Sequence, residues 1–146
     1  MDQSINLLAK IKEEFDCKEV DLRTYSPLTL AFLGDCVYDI IIRTVVVERG
    51  NRAPQGLHKK KSYLVNAKTQ KEIIESLQDI LTPEEEDIYR RGRNAKSYTT
   101  AKNASVGDYR KATGFEALLG YLYLSDNMDR VLFLVKEGLK RIGAEV

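Results

Sequence analysis

The run from Leu28 to Val47 constrains this chain more than any other part of it. It is almost continuously apolar, it is preceded by Ser26-Pro27, and Gly50 stands just beyond it. A capping hydroxyl followed by proline at the first helical position is a start signal, and glycine is the natural stop. One helix reaching Arg49 is expected, central and buried, with the rest of the chain packed around it. Val45, Val46 and Val47 are β-branched and favour a strand by propensity, but the caps at both ends outweigh them. The run is long enough to cross a bilayer, yet Asp35, Asp39 and Arg43 recur every four residues and draw one polar stripe along it. No membrane association is therefore expected. The opening Met-Asp-Gln-Ser-Ile-Asn has neither a basic nor an apolar signal region, so a cytoplasmic location is expected.

The pattern elsewhere is helical too. Ser4 is a candidate cap for a first helix with Leu7, Leu8, Ile11 and Phe15 on one face. Gly50 to Gly56 reads as a loop from its turn residues. Leu57, Leu64 and Val65, then Ile73, Ile74, Leu77, Ile80 and Leu81, give helical spacing over two further helices. Thr82-Pro83 repeats the start signal, and Glu84, Glu85 and Glu86 complement the dipole of a short helix ending near Gly92. Residues 93 to 107 are polar with almost nothing to bury, which suits a functional loop. A helix resumes near Asp108 and reaches Leu124, and a last one runs from about Met128 to Ile142. The expectation is an all-α helical bundle forming a single domain over residues 1–146.

Two carboxylates stand out against this apolar pattern. Asp35 lies in Leu30-Ala-Phe-Leu-Gly-Asp35-Cys-Val, and Glu116 in Phe115-Glu116-Ala-Leu-Leu-Gly-Tyr-Leu-Tyr-Leu124. Both helices are expected to be buried, and a carboxylate enters a core only when paired, hydrogen-bonded or bound to a metal. An Asp and a Glu from adjacent helices suit a hard divalent cation such as Mg²⁺, which takes oxygen ligands and completes its shell with water. The competing reading is structural, with Asp35 paired to Arg43 and Glu116 turned to the surface; spacing alone leaves the two about even. Asp39 reads as an ordinary partner of Arg43 one turn on. Gly34 and Gly120, inside helices, each cost about 1 kcal/mol against alanine, and close helix approach is the expected compensation.

The net charge is only +1, so any attraction to a polyanion must come from local clusters. Two exist. His58-Lys59-Lys60-Lys61-Ser62 stands near a helix start, and Arg90-Arg91-Gly-Arg93-Asn94-Ala-Lys96-Ser97 leads into the polar stretch with Thr99, Thr100, Lys102 and Asn103. Basic groups mixed with hydroxyls and amides suit phosphate and 2′-hydroxyl contacts on duplex RNA. A bare lysine triplet is usually only a solvated face, so the second cluster is the more telling. His58 is the only histidine, and no nucleophile motif accompanies it. Cys17 and Cys36 form no metal or disulfide pattern.

The two acidic helices, with Leu57 to Asn66 between them, resemble the endonuclease domain of the ribonuclease III family. Arg91-Gly-Arg-Asn-Ala-Lys-Ser97 and Thr99-Thr-Ala-Lys-Asn103 are similar to its Mini-III branch, which lacks an appended double-stranded-RNA-binding domain. The resemblance spans roughly residues 25 to 140. It implies a homodimeric, Mg²⁺-dependent endoribonuclease that cuts double-stranded RNA to 5′-phosphate and 3′-hydroxyl ends. For the Mini-III branch it implies maturation of a 23S ribosomal RNA precursor, with a large-subunit ribosomal protein as a partner.

By the same resemblance Asp35 and Glu116 are the catalytic metal ligands, and Phe32 is the aromatic that anchors the dimer. Ribonuclease III proper has acids where this chain has Ala31 and Thr113. One Mg²⁺ with extra waters, one of them oriented by Thr113, is therefore expected in place of a two-metal site. RNA binding falls to Lys59, Lys60, Lys61, Arg91, Arg93, Asn94, Lys96, Thr99, Thr100 and Lys102. The alternative is a non-catalytic double-stranded-RNA-binding protein that retains the fold, for which Ala31 and Thr113 are the best support.

Overall fold

The computed structural model describes residues 6–50, 54–96, 105–144 and 146. They form seven α-helices and a short 3₁₀ turn, Leu22–Thr24, with no strand among the described residues. The helices are α1 (Leu7–Glu14), α2 (Pro27–Glu48), α3 (Pro54–Val65), α4 (Ala67–Ser76), α5 (Pro83–Asn94), α6 (Val106–Leu124) and α7 (Met128–Arg141). The all-α expectation holds.

Most boundaries follow the caps. The Ser26 hydroxyl accepts from Thr29 N with Pro27 behind it, and Thr82 and Glu85 close a reciprocal capping box at the start of α5. The differences are local. Ser4 lies outside the described residues, and the observed cap of α1 is Asn6, whose side chain accepts from Ala9 N. The expected loop at 50–56 is shorter, because Pro54 starts α3 as proline readily does at a first helical position. The fifth helix runs on to Asn94, and the sixth starts at Val106 because Ser105 caps it. Gly50 follows α2 without a left-handed φ, so it terminates the helix without the expected turn geometry.

The helix at the centre is α6, not α2. Nine residues of α6 are buried, on all sides of it, and it packs on α2, α4, α5 and α7. A helix apolar all round belongs in a core. By contrast, α2 buries only one side, through Leu30, Ala31, Gly34, Val37, Tyr38, Ile42 and Val46. Its other side leaves Leu28, Phe32, Cys36, Ile40 and Val47 open to solvent, so the expected burial of the whole helix is corrected. Around α6 the core is aliphatic and aromatic, with the Tyr38 and Phe115 rings meeting edge to face at 5.8 Å.

One buried ion pair ties the two halves of the bundle. Glu85 is 5% exposed, and Arg130 of α7 grips it at two points of 2.8 Å each while donating a third bond to Ile80 O. Burial alone would raise the Glu85 pKa, but the Arg130 hydrogen bonds and the Thr82 backbone N–H more than offset it and hold the carboxyl below its usual value. No described helix is long and apolar enough to cross a membrane. Cys17 and Cys36 are free and exposed.

Candidate active site

The crossing of α2 and α6 is made by backbone meeting backbone. A Cβ placed on Gly34 would stand 1.7 Å from the Glu116 carbonyl oxygen, and one on Gly120 would stand 2.0 Å from the Leu30 carbonyl oxygen. No other residue type fits either position without separating the helices. That offsets the helical cost of glycine, as the spacing of the two residues suggests. Asp35 follows Gly34 directly and Glu116 sits one turn before Gly120, so the same contact brings the two carboxylates together.

Their surroundings differ. Glu116 is half-buried, and its pKa is pushed up to about 9. Burial is the largest cause, followed by hydrogen bonding and charge repulsion from Asp35, while Gln70 beside it favours the ionised form. Asp35 was expected to be buried and is instead exposed, because it points along the open side of α2. Neither acid is ion-paired with a lysine or arginine among the described residues. Arg43 is bound to Asp39 at 2.8 Å, which disposes of it as the partner of Asp35. Ionising both carboxyls at this distance is costly, and a divalent ion bound between them would remove that cost. No group of three or more His, Cys, Asp or Glu side chains converges among the described residues, so an ion at this pair would keep most of its ligands as water.

The floor of the site is tied to backbone carbonyls. Tyr38, fully buried beneath the pair, donates its hydroxyl to Leu64 O at 2.6 Å, and burial, then the Glu116 charge, raises its pKa. Thr113 is buried, and its hydroxyl donates to Tyr109 O of its own helix at 2.9 Å. Its proton is therefore committed, and a nearby water could only donate to it. Gln70, which the sequence reading passed over, is 3% exposed. A signal for it existed: it shares the apolar face of α4 with Ile73 and Ile74, where an amide needs a reason to be.

The basic residues occupy separate places. Arg91, Asn94 and Lys96 are exposed at the end of α5, while Arg93 is half-buried with its guanidinium 5.6 Å from the Tyr89 ring centroid. Lys61 is half-buried on α3. Lys59 and Lys60 belong to the same helix, but their side chains, like Thr99, Thr100 and Lys102 altogether, lie outside the described residues. Phe32 is 79% exposed, the most open large apolar side chain on α2.

Residues 28–127 match the ribonuclease III domain family. The chain is 53% identical over 106 residues to Mini-ribonuclease 3 of Thermoanaerobacter sp. (strain X514), covering 73% of this chain and 75% of that one. It is 43% identical over 125 residues to Mini-ribonuclease 3 of Enterococcus faecalis, covering 84% and 95% of the two chains. A crystal structure of a protein from Fusobacterium nucleatum superimposes with a TM-score of 0.76 at 32% identity, over 84% of this chain and 99% of that one.

Proposed function

The chain belongs to the ribonuclease III family and is an endoribonuclease of double-stranded RNA; on that premise we propose that Asp35 and Glu116 are its catalytic pair and together hold one Mg²⁺. The observation that carries this reading is the pair itself: two carboxylates from different helices, held together by a glycine crossing, with no lysine or arginine ion-paired to either among the described residues. A divalent ion bound there supplies Lewis acidity, lowering the pKa of a water and stabilising charge on the scissile phosphate. Asp35, exposed, presents its oxygens to the side from which RNA arrives. Glu116, recessed, gives up its raised proton as positive charge is bound, which makes affinity for the ion fall at low pH.

The open face of α2 supports a homodimer. Leu28, Phe32, Cys36 and Ile40 follow one another at four-residue spacing, one apolar stripe along the helix. Two copies joined there would place an Asp35 on each side of a duplex, one site for each strand. Arg91, Arg93, Asn94 and Lys96, with Lys59, Lys60 and Lys61 of α3, then supply phosphate contacts, and Thr99, Thr100 and Lys102 are assigned to RNA binding from the sequence alone. The kinship with Mini-ribonucleases 3 supports a 23S ribosomal RNA precursor as the substrate, a large-subunit ribosomal protein as the presenting partner and a cytoplasmic setting.

The decisive experiment incubates the purified protein with structured RNA in Mg²⁺ or in EDTA. Cleavage to 5′-phosphate ends is expected in Mg²⁺ alone. Asp35→Asn and Glu116→Gln should bind RNA as the wild type does and cut at least about 10³-fold more slowly. Wild-type rates in either variant would remove that residue from the mechanism. RNA bound but left intact in Mg²⁺ would make the protein a binder.

A further inference from the structure

The last three carbonyls of α3 are each taken by a side chain from outside that helix. Thr69 Oγ1 donates to Tyr63 O at 2.8 Å, Tyr38 Oη to Leu64 O at 2.6 Å, and Gln70 Nε2 to Val65 O at 2.8 Å. These bonds satisfy carbonyls that a helix end leaves open. Gln70 does something more, because its amide also lies beside the Glu116 carboxylate.

The bond to Val65 O fixes which way round the amide sits, since only its NH₂ group can donate to a carbonyl. The opposite end, Oε1, is buried and has no hydrogen-bond partner. A dry acceptor in a core is costly, so folded chains rarely keep one without a donor. The described side chains of this region do not offer that donor. With an ion bound at the pair, Glu116 and Asp35 are carboxylates that only accept, and the Thr69, Tyr38 and Thr113 hydroxyls are already committed to backbone carbonyls. Water held at the carboxylates would supply the donor.

We propose that Gln70 is a positioning residue of the active site, whose N–H group steadies Glu116 while Oε1 accepts a hydrogen bond from a water bound at the Asp35–Glu116 pair. This rests on the reading of that pair as a cation site. The same amide connects Val65, the last residue of the lysine-bearing helix α3, to Glu116. Groups that orient a ligand and its waters from behind typically contribute 10–100-fold to metal affinity.

Gln70→Met keeps the side-chain length and helix propensity but removes donor and acceptor together. Thr69→Val removes the neighbouring bond to α3 without involving Glu116, and so reports the effect of loosening α3 alone. Three quantities are compared: melting temperature in EDTA, Mn²⁺ affinity by electron paramagnetic resonance, and the Mg²⁺ midpoint of single-turnover cleavage. Gln70→Met should weaken Mn²⁺ binding and raise the Mg²⁺ midpoint by about 10-fold or more, with kcat at saturating Mg²⁺ reduced less. Thr69→Val should leave both metal readouts unchanged even where it lowers the melting temperature. Should Gln70→Met fail to fold, Gln70→Asn, whose shorter amide reaches neither Val65 nor Glu116, is judged by the same readouts. Unaltered Mn²⁺ affinity in the folded Gln70 variant, or an equal loss in Thr69→Val, overturns the role of Gln70 alone. Wild-type protein that binds no Mn²⁺ overturns the cation reading of the pair, and the inference with it.

Discussion

Glu85 and Glu116 are both shielded glutamates in neighbouring helices of the same bundle, and they are treated in opposite ways. Glu85 is bracketed by the Arg130 guanidinium and the Thr82 N–H, and its pKa is held down. Glu116 faces another carboxylate, and its pKa is pushed up to about 9. The first is a finished interaction that the folded chain completes by itself. The second has no cation paired with it among the described residues, so its charged form is disfavoured until something positive answers it. Shielding a charge therefore says little about function until the neighbour that answers the charge is known.

The sharpest way to break the contrast is to move the backbone under the open pair. Gly34→Ala places a methyl group where the Glu116 carbonyl already stands, so α2 and α6 must separate. A loss of about 3 kcal/mol is expected in denaturant melts, together with cleavage falling far below wild type at temperatures where the variant is still folded. Arg130→Met should do the reverse. It strands Glu85 in the core at a cost of about 3 kcal/mol, yet the surviving folded fraction should keep the wild-type Mg²⁺ dependence. A normal melt for Arg130→Met would show that Glu85 is as tolerant of solitude as Glu116.

The two glutamates should also titrate with opposite sign in EDTA. Glu116 has a raised folded pKa, so its contribution is complete below the unfolded value, 4.5, and is lost as pH climbs towards about 9. The slope cannot exceed about 1.4 kcal/mol per pH unit. Glu116→Gln should remove that slope and melt higher than wild type near pH 8, while Mg²⁺ should stabilise only the wild type. Glu85 has a depressed folded pKa, so its contribution is present above the unfolded value and disappears as pH falls through the folded one. Equal pH slopes in wild type and Glu116→Gln would contradict the open-pair account. The smallest effect belongs to the exposed Arg91, where Arg91→Ala should weaken RNA binding by a few-fold at low salt and reduce the salt slope by about one unit without changing kcat.

Much of the helical layout could be read directly from local residues. Ser26-Pro27 and Thr82-Pro83 mark true helix starts, because a cap acts within its own first turn. Ser105 was equally local and was missed, because the polar residues around it hid the helix it opens. The pairing of Asp35 with Glu116 was legible as two acids in apolar settings, each near a glycine. Which of them is recessed was not, since that depends on how much of α2 a neighbour covers. The Arg130 clasp on Glu85 joins residues far apart in the chain, and no local pattern announces it.

The amino-acid order alone therefore decided the number of helices, most of their ends, and which two carboxylates stand in apolar stretches near a glycine, because capping and periodicity are short-range effects. Only the packed bundle decided that α6 and not α2 is the buried axis, that Asp35 is open while Glu116 is recessed, and that Gln70 stands behind them. Those facts hinge on the approach of Gly34 to Gly120, where two backbones touch. The electrostatic character of a carboxyl group is set by whatever that contact brings within a few ångströms of it.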